Sequence, residues 1–364
     1  MRLVSINMLT EDMVLASSIY YNDSMLLRVG QQNILKYKDN LLRLGITYVY
    51  VEDEKSEGII IPDAITEQTR ISCKKIVRDT MIEFAQKSTV SLDGLSEAVE
   101  SIISDILYNE DIQVSMNDIS ATDEYTFSHS VSTTVYSLLI GKELGYSRSK
   151  LEKLAAGTLL HDMGKVFLDK DIVFKSEELT PEEFEHVKQH TTFGYHSLKK
   201  CNSITELSRI ISLFHHERMD GSGYPRGVPA KNLHEFARVV AIADVYDALT
   251  SDRCYRKKWT NNKAVEYLIR SSQTKFDVDL VSLFIKKIAI YPNGSMVLLS
   301  NGMLGIIKAQ NRGVPLRPIV RVVANREGRD VKMYEVDLMK ELSITILESE
   351  IEIQNGKPNF ETDK

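Results

Sequence analysis

Residues 151–165 read LEKLAAGTLLHDMGK, and their pattern decides the fold at the centre of the chain. Leu151, Leu154, Ala155 and Leu159 recur at three- and four-residue spacing, the mark of a helix that buries one stripe. The run closes on His161 and Asp162, so an imidazole and a carboxylate emerge together at the helix C-terminus, and Lys165 returns to the face of His161 at i+4. The same texture extends outward. Between about 115 and 290 there is almost no β alternation, and Val131, Val135, Leu138 and Leu139 form another stripe. Thr180 followed by Pro181 and Glu183 predicts a capped helix running toward His190. The centre reads as a compact helical domain.

The flanks differ. Residues 1–60 mix short β-like runs (MVLA, SMLLRV, TYVYV) with one helical stretch around 31–44, and YNDS is placed as a hairpin turn. From Thr69 to about Tyr108 helical spacing returns, as core or as a dimer-forming connector. After Tyr291-Pro292-Asn293-Gly294 come MVLLS, LGIIKA, PIVRVV and SITIL, β-branched runs separated by Gly, Asn or Pro, and NGKPNFETDK reads as a frayed end. The expected organisation is a small α+β module with connecting helices over 1–115, the helical domain over 116–290, and a small β-rich module with a frayed tail over 291–364.

With 364 residues, 43% apolar and 26% charged, the chain has the composition of an ordinary globular protein of two or three domains. A formal charge of −6 gives no support to wrapping of a polyanion, so no nucleic acid polymer is expected as a partner. Cys73, Cys201 and Cys254 lack C-x-x-C spacing, which argues against both a disulfide framework and a thiolate zinc site. No apolar run reaches the ~18 residues of a membrane span, and the start of the chain has no long apolar h-region. A cytoplasmic protein without a membrane span is expected.

All eight histidines fall between positions 129 and 234. They stand in DEYTFSHS (123–130), LLHDMGK (159–165), EHVKQH (185–190) and FHHERMDGSGYPRG (214–227), with the remaining two at His196 and His234. Imidazole with carboxylate suits Zn, Mn or Fe, and several of each from separate helices can hold two ions. His215 and His216 close the apolar run ISLF. Asp244 and Asp247 lie one turn apart in VVAIADVYDAL, where a bare buried carboxylate would be costly, so pairing or metal binding is expected.

These blocks resemble the HD-GYP family, the metal-dependent cyclic di-GMP phosphodiesterases within the HD superfamily. The HD pair is His161-Asp162; the HHE-x-x-DGxGYP signature stands as His215, His216, Glu217, Asp220, Gly221, Gly223, Tyr224 and Pro225; ADVYDALTSDRCYR is the downstream block. The resemblance covers about 120–285. It implies a mainly α fold, a helical HD-type metal-binding domain flanked by the small N-terminal α+β and C-terminal β-rich modules. It implies two divalent ions, Fe or Mn, one held by His129, His161, Asp162 and Asp244, the other by His190, His215 and His216, with Asp162 bridging. Asp162 and Lys165 become the catalytic pair, Lys165 facing the substrate phosphate, while Arg253 and Arg256 grip the cyclic dinucleotide and Tyr224 lies beside the site.

The implied chemistry is attack on phosphorus by a metal-bridging hydroxide, giving pGpG and then GMP if cleavage continues. The third-metal glutamate of some members would stand at Tyr125, with Glu124 one residue out of register, so two metals are expected. His190-Thr191 replaces the usual His-Pro, a change at the helix rather than at the ligand. His186, His196 and His234 are read as structural. Because nothing in the sequence visibly reads the second base, a cyclic GMP–AMP hybrid is the alternative substrate. A nucleotide-binding signalling adaptor with little turnover is the alternative of a different class. A homodimer is compatible with the connector helices.

Overall fold

A computed structural model describes residues 1–21, 24–87, 93–109, 125–173, 175, 177–251, 258–354 and 357–359. Residues 1–52 build β1 (Arg2–Ser5), β2 (Val14–Leu15), β3 (Ile19–Tyr21), β4 (Ser24–Leu27), α1 (Lys38–Arg43) and β5 (Tyr48–Glu52). A three-stranded sheet runs β1-β5-β2, and β3 pairs with β4 as an antiparallel hairpin around YNDS, whose Asn22 and Asp23 lie outside the described residues. The strand β1 is absent from the runs read in the sequence, because four residues opening on an arginine give almost no alternation. Its pairing with β5, Arg2 against Val51 through Ser5 against Tyr48, makes it a strand. Ile6, Leu15, Ile19, Ile34, Val49 and Val51 form an interior belonging to this unit alone.

Helices follow: α2 (Glu67–Lys87), α3 (Asp93–Tyr108), α4 (Tyr125–Glu143), α5 (Arg148–Leu159), α6 (Lys170–Val173), α7 (Pro181–Leu198), α8 (Glu206–Phe214), α9 (Glu235–Thr250), α10 (Asn261–Ser271) and α11 (Val278–Ile285). The stripes read from the sequence are buried, with Val131, Val135, Leu151, Leu154, Ala155 and Leu159 each at 3% exposure or less. The capping box closes α7 as its spacing requires: Glu183 N donates to Thr180 Oγ1 at 3.2 Å, and Thr180 N donates to Glu183 Oε2 at 2.8 Å. Helix α4 lies centrally, against α2, α5, α9 and α11. No helix among the described residues is long and apolar enough to cross a membrane.

The C-terminal part is an antiparallel sheet of β6 (Met296–Leu299), β7 (Met303–Ala309), β8 (Ile319–Asn325), β9 (Asp330–Asp337) and β10 (Ile346–Ser349), in the order β10-β6-β7-β8-β9. The sequence reading passed over β9, an edge strand whose charged residues interrupt the apolar pattern and leave most of it exposed. It also started SITIL three residues before β10 begins. Within the stretch read as a frayed end, Lys357–Asn359 form β12, which pairs with β11 (Glu352–Gln354), and the other residues of that stretch lie outside the described ones. Alternation buries both faces of the sheet. Val297, Leu299, Ile307, Val320 and Val322 join the interior of the helices, while Met296, Leu298, Leu304 and Ile306 pack with Ile59 on the other side.

Candidate metal centre

Five segments deliver the histidines and aspartates to one place: α4 carries His129, the end of α5 carries His161 and Asp162, α7 carries His190, the end of α8 carries His215 and His216, and α9 carries Asp244 and Asp247. Two trios result, His129 with His161 and Asp162, and His190 with His215 and His216, each with ligand atoms within 4.8 Å of one another. Asp162 stands between them. Its Oδ2 is 3.5 Å from His161 Nε2 and 4.0 Å from His129 Nε2; its Oδ1 is 3.5 Å from His190 Nε2 and 3.9 Å from His215 Nε2. Asp244 spans the other side, 3.1 Å from His129 Nε2 and 3.6 Å from His216 Nδ1.

The backbone fixes how the rings face. His161 Nδ1 donates to Thr158 O and His190 Nδ1 to Val187 O, both at 2.7 Å, and His215 Nδ1 lies 3.0 Å from the carbonyls of Ile211 and Ser212. A carbonyl only accepts, so each Nδ1 carries the proton and each Nε2 presents a lone pair inward. His190 Nε2 and His215 Nε2 then face each other at 3.3 Å, and His161 Nε2 and Asp162 Oδ1 are buried without a hydrogen-bond partner. Opposed lone pairs and an orphaned carboxylate oxygen at nearly zero exposure are unfavourable by themselves and favourable around cations. The residues present fit divalent metal ions.

Electrostatics point the same way. Burial pushes His190 down to about 4 and His215 down to about 3, and lowers His161 and His216 as well, so these rings are neutral at neutral pH. Burial also opposes ionisation of Asp162, yet the Lys165 ammonium and the surrounding rings hold its carboxyl well below the usual range. His129 departs from its neighbours. Burial pulls it down, but hydrogen bonds to Asp244 and Asp247 outweigh that and raise it to about 9.

Lys165 does not return to His161. Residues Met163–Phe167 form a 3-10 turn, in which i and i+3 are eclipsed, and Lys165 Nζ reaches Asp162 Oδ2 at 2.6 Å. Tyr224 stacks on His216, ring centroids 4.6 Å apart at 29°. Arg253, Arg256 and Glu124 lie outside the described residues, as does the side chain of Tyr125. His186, His196 and His234 belong to neither trio; His234 Nδ1 accepts from Phe236 N and starts α9.

Two residues take roles whose partners the sequence does not specify. Asp247, for which pairing or metal binding is expected, is paired: its Oδ2 accepts from His129 Nδ1 at 2.6 Å, orienting that ring. Glu217 stood in the signature without a role. It is wholly buried and accepts backbone N–H bonds from Arg226 and Gly227 at 2.8 and 3.1 Å and from Val228 at 3.2 Å, gathering the GYP loop beneath the site. The loop closes tightly because Gly223 has no side chain: a Cβ there would lie 2.4 Å from Glu217 Cα. Glu217→Ala strands three donors and is expected to destabilise the protein by about 3 kcal/mol. Urea unfolding measures the loss, and cleavage within 218–228 in limited proteolysis locates it.

Comparison with known proteins places these features. Residues 113–280 match the family described as HD domain, and residues 296–355 the family described as KOW domain associated with HD domain. The chain is 34% identical over 227 residues to a cyclic di-GMP phosphodiesterase of Pseudomonas aeruginosa, covering 62% of this chain and 55% of that protein. It is 33% identical over 224 residues to a cyclic di-GMP phosphodiesterase of Thermotoga maritima, covering 61% and 60% respectively. Over 175 residues it is 31% identical to 3′3′-cGAMP-specific phosphodiesterase 3 of Vibrio cholerae, covering 48% and 38%. The chain thus spans little more than half the length of the first two curated relatives. The histidine–aspartate doublet that closes α5 lies within the segment similar to an HD domain, and β6 to β10 lie within the segment similar to the KOW domain associated with it.

Proposed function

We propose that this chain is a metal-dependent phosphodiesterase that opens cyclic di-GMP to linear pGpG and can cut that product again to GMP. The observation that carries the reading is the convergence of five imidazoles and two aspartates from five separate segments, with lone pairs turned toward one another. In it His129, His161, Asp162 and Asp244 would hold one divalent cation, and His190, His215 and His216, together with Asp162, would hold a second. Iron or manganese suits this nitrogen and oxygen donor set. Such cations, when bound, lower the pKa of water and draw charge from phosphoryl oxygens.

The chain's own groups orient and neutralise. Lys165 fixes the Asp162 carboxylate while its side chain stays 27% exposed at the rim, within reach of a phosphoryl oxygen. Tyr224 covers one face of His216 and shields it from water. Arg253 and Arg256 are assigned to the phosphates of the dinucleotide. The names of the Pseudomonas and Thermotoga relatives favour cyclic di-GMP, and that of the Vibrio relative favours a cyclic GMP–AMP hybrid as the second reading. Anaerobically purified protein with Fe²⁺ or Mn²⁺ is expected to convert cyclic di-GMP to pGpG by chromatography. Exclusive turnover of the hybrid would transfer the assignment to it. Full metal content with tight nucleotide binding and no turnover would make the chain an adaptor.

The proton on His129 gives a pH test. Its folded pKa of about 9 exceeds the unfolded value of about 6.5, so its contribution to stability is complete below 6.5 and is lost as pH rises through 9. Cation uptake at Nε2 must release that proton, so affinity is expected to rise between pH 7 and 9. In Asp247→Asn the ring loses a charged partner. Mn²⁺ affinity by calorimetry is expected to fall about 10- to 100-fold at pH 7 and to climb less with pH.

A further inference from the structure

The metal centre leaves the recognition of the base unexplained, and helix α7 supplies a surface for it. Phe184, six residues before His190 on the same helix, is 44% exposed, unusual for so large an apolar ring beside a buried polar centre. It is joined to that centre by a line of rings: His216 stacks on Tyr224, and Tyr224 meets Phe184 at a centroid distance of 6.2 Å and 81°. One turn further along α7, Lys188 Nζ lies 4.9 Å from the Phe184 centroid and 5.5 Å from the Tyr224 centroid, tethered at 2.5 Å to Glu185 Oε1. Tyr224 meets Phe184 nearly perpendicular to it, and the 44% of Phe184 that stays exposed is where a flat partner can pack.

We propose that Phe184 and Lys188 form a shelf for one purine base of the dinucleotide, with guanine preferred over adenine; the inference deepens the phosphodiesterase reading and rests on it for the identity of the substrate. Phe184 stacks the base, which any purine satisfies. Lys188 discriminates. Guanine shows two acceptors, O6 and N7, on the edge an ammonium would approach, whereas adenine shows N7 beside an amino donor that repels a cation. The phosphate on the metal side and the base on the shelf side are then read by separate side chains, which accounts for an exposed phenylalanine beside a lysine that lies over both its ring and that of Tyr224.

The test separates base binding from turnover. Calorimetry with the full chain uses guanosine 5′-monophosphate and adenosine 5′-monophosphate as probes. The wild type is expected to bind the guanine nucleotide more tightly; Phe184→Ala is expected to weaken both about tenfold, the lower range of one lost stacking contact. Lys188→Met is expected to bring the two affinities together with Mn²⁺ content unchanged. In a separate assay, KM for cyclic di-GMP is expected to rise in both variants with kcat little altered. Unchanged nucleotide affinity in Phe184→Ala, or an undiminished guanine preference in Lys188→Met, overturns the shelf. Guanine-selective binding that depends on these residues, in a protein that hydrolyses no cyclic dinucleotide, upholds the shelf and overturns the phosphodiesterase reading.

Discussion

In Asp162→Ala, kcat toward cyclic di-GMP is expected to fall by about a thousandfold or more, with bound metal dropping below one equivalent per chain. The size of the effect follows from position. Asp162 is 1% exposed and sits between the trios, with Oδ2 toward His129 and His161 and Oδ1 toward His190 and His215. Removing it deletes a donor to both groups of rings and frees Lys165, which would turn to solvent. The fold should survive, since the variant also removes an orphaned buried oxygen. Elemental analysis, single-turnover kinetics and circular dichroism together check this. A variant with full metal and a tenth of wild-type turnover would show that Asp162 does not bridge.

Gly164→Ala is expected to be the most destabilising single methyl in the domain, at about 3 kcal/mol or more. A Cβ at Gly164 would lie 1.8 Å from His190 O and 2.6 Å from Gly194 N, both backbone atoms of α7 with no rotamer to escape into. The 3-10 turn and α7 would have to part. That separation would pull Asp162 away from His190, now 3.5 Å apart, so metal content should fall along with thermal stability. Differential scanning calorimetry beside metal analysis reads both. An unchanged Tm would show that the turn can shift without cost.

The helices were legible because their signals are local: the stripe at 151–160 and the capping box at Thr180 are each carried by neighbours in sequence. The donor residues, spread from His129 to Asp244, were named through the resemblance of their blocks to a family, since no local pattern joins them. Lys165 was placed against the wrong partner because an α-helical i+4 was assumed where the chain tightens into a 3-10 turn. The partners of Asp247 and Glu217 were unreadable for another reason: they are set by what lies opposite, a ring on α4 and a loop nine to eleven residues ahead. The strands β1 and β9 were lost for want of alternation, their pairing being decided by a partner strand. Phe184 reads in sequence as one more apolar residue, and only its place against Tyr224 and Lys188 sets it apart.

The interior that runs without a break from Ala64 through the helices to Leu338 governs how this protein can be dissected. A truncation at the C-terminal border of the matched HD segment would strip away Val297, Leu299, Ile307 and Val320 and leave the underside of the helical bundle apolar and prone to aggregate. The natural seam lies at the opposite end, where the first 52 residues keep a separate interior of their own. An engineer wishing to give this protein a new sensor should therefore graft ahead of α2 and leave the β-sheet in place as the floor of the helices.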